Sequence, residues 1–365
     1  MTFLHLRWLG VPRREQWEEV RIMPDVHERF DTALNDTVEE WKSHDNVKGI
    51  FVYGSFVRGT ATANSDLDVV IVWGVDDAPV RLLSKHKEVL VDMVFMTVSD
   101  VENVFNGTTK DVTKISEVIN TLKHSRVVHD TKGLVKSWQK KTVNYVWSDE
   151  SISQVKTTAL EYLDRAKKFV DDDEGPSAIY ELREGVFNLG RAIVMVNNIF
   201  MILKPAEVLT EVRMLDPITY TLFRRAFKLK GMNEPKLLKV LNDLRYWLEL
   251  AESQIGRVTV DEQAILATGL LSQAQREYHG SLGLTYNGDY ELAVLEMRQA
   301  ACSLGRTLIT LKEFSSFVDG VFMDKLSESE PVFYEEILIE HGAYDILPKE
   351  ITRIIGEAQF VAQRL

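Results

Sequence analysis

Between Val52 and Val72 the chain reads Val-Tyr-Gly-Ser-Phe-Val-Arg-Gly-Thr-Ala-Thr-Ala-Asn-Ser-Asp-Leu-Asp-Val-Val-Ile-Val. A Gly-Ser turn follows an apolar run, and after ten residues Asp66 and Asp68 head a second apolar run. Side chains of a strand alternate with period two, so both carboxylates point to one face. Two carboxylates beside a glycine-bearing turn can hold divalent metal against a bound triphosphate. A third acid lies in Glu88-Val-Leu-Val-Asp-Met-Val-Phe-Met96, where apolar and β-branched neighbours predict a strand around Asp92. Such a strand is buried on both faces, and a buried carboxylate is costly without a cation or hydrogen bonds. If it pairs beside the strand of Asp66 and Asp68, the three acids converge. Asp66 and Asp68 would then bridge two Mg²⁺ ions, and Asp92 would ligate one of them and accept the proton of an attacking hydroxyl.

The turn has its own chemistry. Gly54 lets the backbone come close to a phosphate, and the amides after it form an anion-binding concavity at a helix start. Ser55 adds a hydroxyl donor and Arg58 a fork of donors suited to phosphate oxygens. Ser65 would cap the turn into the strand that carries Asp66 and Asp68. Phosphoryl transfer asks a protein mainly to position groups and neutralise charge, so these few residues could suffice.

Gly54-Ser55, the ten-residue spacing, Asp66-Leu67-Asp68 and a later apolar strand bearing Asp92 resemble the nucleotidyltransferase superfamily related to DNA polymerase β. Arg58-Gly59-Thr60-Ala61 and Asn64-Ser65 are most similar to its small prokaryotic branch, which includes minimal and aminoglycoside nucleotidyltransferases. The resemblance spans residues 26–135 or so. It implies Mg²⁺-dependent transfer of a nucleoside monophosphate from an NTP such as ATP to a hydroxyl, with release of pyrophosphate. It also implies that Gly54 and Ser55 contact the triphosphate, with Arg58 near it.

The elements that must hold these residues are visible in the periodicity. A helix starting near Asp25 places Phe30, Leu34, Val38 and Trp41 on one face. Strands are expected at Val47–Tyr53, Leu67–Trp73 and Val89–Val98, with a short helix opening at Gly54–Arg58. Residues 74–86 are expected to be a polar connection. Ser99 is expected to cap a helix, Val112–Leu122 to form another, and Ser125–His129 to be a fourth strand closed by Asp130-Thr-Lys-Gly133. Residues 1–25 form a separate N-terminal segment in which Trp8, Leu9 and Val11 could pack as a lead-in strand or arm.

From about 150 onward the pattern is helical, with breaks at Gly175-Pro176, Pro205, Asp216-Pro217, Pro235, Pro331 and Pro348. Ala178, Glu181, Arg183, Leu189, Gly190 and Arg191 recur at a constant offset of 115 as Ala293, Glu296, Arg298, Leu304, Gly305 and Arg306. Glu161-Tyr162 and Glu277-Tyr278 match again after a one-residue shift. This is the signature of a duplicated helical unit, expected to pack across a pseudo-two-fold axis with Gly190 and Gly305 at close approaches. The repeated acids could line an acceptor cleft, with Glu181 or Glu184 as an extra base, or simply form ion pairs. These units resemble the HEPN-type bundles found beside small nucleotidyltransferases, and the helical C-terminal half of aminoglycoside nucleotidyltransferases. HEPN ribonucleases carry an Arg followed a few residues later by His; neither Arg191 nor Arg306 has one, which argues against ribonuclease activity.

The expected architecture is therefore α+β: a small mixed sheet of the polymerase β-like kind over 26–145, then an all-α bundle with units at 150–260 and 261–365. Composition fits a globular protein, with 45% hydrophobic and 27% charged residues. A net charge of −12 argues against a broadly basic nucleic-acid surface and suits a cationic, hydroxylated small molecule as acceptor; a protein side chain is the other candidate. The single cysteine, Cys302, falls in a helical pattern and is expected to be buried. No secretory signal is evident, and the apolar window Phe187–Leu203 is interrupted by Arg191, Asn197 and Asn198, so a cytoplasmic protein without a membrane span is expected. A homodimer or a protein partner could use the helical region. The competing readings are an NTP-binding sensor without transfer, or an antitoxin-like regulatory protein; metal-dependent pyrophosphate release separates them.

Overall fold

The computed structural model describes residues 26–61, 65–79, 81–86, 89–313 and 321–365; Trp8, Leu9 and Val11 lie outside them. The chain divides into two units, one containing 1–102 and 121–140, the other 103–120 and 141–365.

The first unit is built on a five-stranded mixed sheet in the order β3-β4-β2-β1-β5. The strands are β1 (Val47–Val52), β2 (Leu67–Trp73), β3 (Arg81–His86), β4 (Val89–Thr97) and β5 (Arg126–Asp130). β2 and β4 run parallel; every other pairing is antiparallel. Helix α1 (Val26–Trp41) buries Phe30, Ala33 and Leu34 against β-branched residues of β1, β2 and β4. Trp41, Trp73 and Phe95 meet edge to face, with centroids 5.3–6.4 Å apart, which closes one end of this core.

One element departs from expectation. The stretch 74–86 is not all connection, because Arg81–His86 forms β3 on the outer edge of β4. Its sequence, Arg-Leu-Leu-Ser-Lys-His, shows no clean alternation, and Leu82 and Lys85 are exposed. An edge strand bonds on one side only and tolerates charge, so it carries little hydrophobic signature. A smaller correction concerns helix α3 (Val98–Phe105), whose cap is Thr97 and not Ser99. The Thr97 hydroxyl accepts from the Asp100 amide at 3.0 Å, while Ser99 lies one residue inside the helix.

Short helix α2 (Gly54–Arg58) follows β1, and α4 (Val112–Lys123) and α5 (Leu134–Thr142) flank β5 in sequence. Trp138 of α5 is fully buried, and its indole N–H donates to Glu102 at 2.6 Å, which satisfies the one polar atom of that side chain.

The second unit is helical: α6 (Asp149–Asp171), α7 (Gly175–Val196), α8 (Pro205–Leu215), α9 (Pro217–Ala226), α10 (Glu234–Ile255), α11 (Asp261–Tyr286), α12 (Tyr290–Lys312), α13 (Phe322–Ser329), α14 (Pro331–Phe333), a π-helical turn (Tyr334–Ile339), α15 (Glu340–Gly342) and α16 (Pro348–Arg364). The prolines that mark breaks in the sequence sit in the first turns of the helices that follow, where a missing N–H is harmless.

The 115-residue offset has a counterpart in which helices pack together. α6 lies along α7 as α11 lies along α12. α8, 115 residues before α13, packs on α12 as well as α7; α13 packs on α7 as well as α12. That reciprocity is what a two-fold relation between repeats requires. A Cβ on Gly190 would lie 2.8 Å from the Phe223 ring, and one on Gly305 would lie 2.9 Å from Leu326, so each glycine seats a side chain of a later helix. Cys302 is buried on α12, and burial pushes its thiol up to about 11. Among the described residues no helix is long and apolar enough to cross a membrane.

The repeated acids are buried and do different work. Glu181 accepts from Arg165 Nε at 2.7 Å with its side chain 1% exposed, so it serves an ion pair and not an open cleft. Glu184 faces Arg306 at 3.8 Å. Glu296 instead accepts the Ala206 N–H at 2.8 Å, at the start of α8. Burial raises its pKa to about 7, with that backbone bond pulling the other way. Between about pH 4.5 and 7 the folded chain keeps a proton there that the unfolded chain has released. The stability it confers is therefore complete below about 4.5 and lost as pH rises through about 7. Urea unfolding of Glu296→Gln against wild type should show the variant gaining about 2–3 kcal/mol between pH 5 and pH 8. A pH-independent difference would contradict this.

Candidate active site

The tip of β1 and the heads of β2 and β4 meet at one end of the sheet. Asp68 and Asp92 are direct partners in the parallel pairing, with Leu83 of β3 across from Asp92 on the other side. Asp66 lies one residue before β2. The three carboxylates offer oxygens that all lie within 4.8 Å of one another. Asp92 is 4% exposed, Asp68 is half-buried, and Asp66 is the most exposed of the three. The convergence expected from the sequence is thus present, and its cause is the parallel β2–β4 pairing, which puts like positions side by side.

The glycine turn is locked to this cluster. Gly54 has φ +76, a left-handed conformation that favours glycine. A Cβ there would fall 1.9 Å from Asp68 Oδ2, so the backbone of residue 54 touches the carboxylate itself. The Tyr53 amide donates to the Asp68 carbonyl at 3.2 Å, which holds the chain to β2 as it leaves β1. α2 then runs for five residues, with its first backbone N–H groups lacking partners inside the helix. Ser55 is the second residue of α2 and half-buried; Arg58 ends it, exposed to solvent. Ser65 is half-buried immediately before Asp66.

Two supports were not foreseen from the sequence. Phe56, facing inward from α2, is 7% exposed and stacks on Phe30 of α1 at 5.3 Å, so the turn is pinned from behind. Arg126, paired in register with Val52 at the end of β1, lies 4.9 Å over the Phe56 ring and 3.3 Å from Asp31. The only sequence signal for Arg126 was its place at the head of a short strand, which says nothing of which strand it joins.

Three carboxylates form an all-oxygen donor set, the kind that suits hard divalent cations such as Mg²⁺. Three like charges within 4.8 Å, one of them buried, repel one another strongly without a cation between them. The residues therefore fit a divalent metal.

The chain thus combines an α+β fold with a left-handed glycine turn that abuts an acidic triad at the ends of neighbouring strands. Residues 34–125 match the family model of the nucleotidyltransferase domain. Among solved structures the chain is similar to a nucleotidyltransferase-like protein from Exiguobacterium sibiricum, at 10% identity and a TM-score of 0.39, over 86% of this chain and 91% of that one. A likeness that loose supports no assignment of its own. No curated protein matches the chain.

Proposed function

We propose that the protein is a divalent-metal-dependent nucleotidyltransferase that moves a nucleoside monophosphate from an NTP to a hydroxyl acceptor. The observation that carries this reading is the Asp66–Asp68–Asp92 cluster lying against the Gly54 backbone. Divalent ions held by the three acids would neutralise the triphosphate and make its α-phosphorus electrophilic. Gly54, Ser55 and Arg58 hold the triphosphate through backbone approach, a hydroxyl and a guanidinium, while Ser65 supports the turn into β2. Asp92 takes the proton of the acceptor hydroxyl as the new oxygen–phosphorus bond forms. The bond from the α-phosphorus to the bridging oxygen breaks, and pyrophosphate leaves. The excess of acids favours a cationic, hydroxylated small molecule as acceptor over nucleic acid, with a protein hydroxyl as the other candidate.

The test is Mg²⁺-dependent pyrophosphate release from each NTP, for wild type and Asp66→Asn/Asp68→Asn. The tubes contain no acceptor, an aminoglycoside panel, or cell proteins freed of small molecules. Release that the double substitution abolishes supports transfer, and the responding tube identifies the acceptor class. NTP bound without release in any tube would replace this reading with a nucleotide sensor.

A further inference from the structure

The helical unit holds a second charged site, unrelated to the acidic triad. We propose that a cavity around Arg298 binds a phosphate-type oxyanion carried by a small molecule, with the Arg298 guanidinium as its main donor.

Arg298 lies on α12 and is 5% exposed. Its Nε and Nη1 are buried and have no hydrogen-bond partner among the described residues. It lines a cavity of about 380 Å³ with Met232, Ile339, Glu340, His341, Tyr344 and Asp345. A buried guanidinium with two unanswered donors is expensive, and a protein normally satisfies such groups. Burial, and then the neighbouring Arg183, draw the Arg298 pKa down to about 9.

The duplication shows what is unusual here. Arg183 is the counterpart of Arg298 at the offset of 115. It has backbone partners: Nε donates to the Ala226 carbonyl and Nη2 to the Ala343 carbonyl, both at 2.9 Å, and its guanidinium lies 4.6 Å over the Tyr344 ring. At the same offset, the residue matching Ala226 is His341. The chain reaching His341 passes through the π-helical turn Tyr334–Ile339, and Ala343 just beyond it is left-handed at φ +55. This remodelled backbone leaves Arg298 Nε without the carbonyl that its twin enjoys, and opens the cavity in its place. π-helical turns recur at functional sites for this reason.

The unanswered guanidinium donors at the cavity favour an oxyanion. Arg183, over the Tyr344 ring, opposes the charge of Arg298, and Asp345 favours it. Of the acids nearby, Asp345 pairs with Lys228 at 2.6 Å and Asp243 faces His341 at 3.6 Å, while Glu340 lines the cavity from an exposed position. A phosphate monoester is doubly charged at neutral pH, and the planar fork of Nε and Nη donors matches its oxygens. Met232 and Ile339 offer apolar wall for the rest of the molecule.

Full-length protein in EDTA, which removes metal from the acidic triad, should be titrated with inorganic phosphate, nucleoside 5′-monophosphates and sugar phosphates. Calorimetry and thermal unfolding supply the readouts. Binding that raises Tm by about 3 °C at a hundredfold excess over Kd is expected for at least one probe. Arg298→Met should weaken it at least tenfold and, without ligand, should unfold at the same or a higher temperature than wild type. Met232→Trp fills the cavity without touching the guanidinium, and should weaken binding comparably should Arg298→Met fail to fold. The response should survive Arg58→Ala, which separates this site from the triphosphate turn. Phosphate alone sufficing would mark a site for the free anion; esters alone would mark a metabolite site. No binding by any probe at 10 mM or so, or binding unchanged in the folded variants, overturns the proposal.

Discussion

Asp92→Asn should lower the rate of pyrophosphate release at least ~1,000-fold while leaving the fold intact or more stable. The substitution keeps shape and removes charge from a side chain that is 4% exposed and neighbours Asp68 in the sheet. If Asp92 both ligates metal and takes the hydroxyl proton, one change removes two contributions to the transition state, and a thousandfold loss is about 4 kcal/mol. A structural aspartate behaves in the opposite sense, since its loss lowers Tm and leaves chemistry largely unaffected. Two carboxylates with oxygens within 4.8 Å repel by about 3 kcal/mol or more at an effective dielectric near 20, so deleting one charge in EDTA should hold or raise Tm. Activity retained within tenfold, or a Tm several degrees lower in EDTA, would remove Asp92 from the catalytic set.

Gly54→Val should be nearly as damaging to turnover and far more damaging to stability. Two independent penalties coincide at this position. The left-handed backbone at φ +76 costs a residue with a Cβ about 1–2 kcal/mol. The added Cβ would also fall 1.9 Å from Asp68 Oδ2, so either the turn or the Asp68 carboxylate must move. We expect about 2–4 kcal/mol lost in urea unfolding, together with at least a ~100-fold loss of turnover. Gly59→Ala is the matched control. Gly59 has φ +72, but a Cβ added there would meet nothing within 4 Å, so only the backbone penalty applies and turnover should stay within a few-fold. Equal losses from both substitutions would mean that the close approach to Asp68 is unimportant.

Much of the first unit was readable from residue order alone, for identifiable reasons. β1, β2 and β4 are central strands covered on both faces, so their hydrophobic runs are long and their boundaries sharp. Gly54, Asp66 and Asp68 are close in sequence, and period-two alternation relates the two aspartates without knowledge of the fold. β3 escaped because an edge strand needs no apolar pattern, and the Thr97 cap because Thr97 and Ser99 offer similar hydroxyls two residues apart.

Residue types, local periodicity and the 115-residue offset belong to the chain itself. They were enough to place a glycine turn and two aspartates together, to mark a helical duplication, and to locate the breaks between its helices. Pairing between distant segments does not follow from such local terms. That β4 lies parallel beside β2, which brings Asp92 to Asp68, depends on how whole strands share one core. The same holds for Arg126 reaching Phe56, and for the different fates of Arg183 and Arg298. Identical residues in duplicated sequence acquire backbone partners in one case and a cavity in the other, because the backbone that returns to each was reshaped far along the chain.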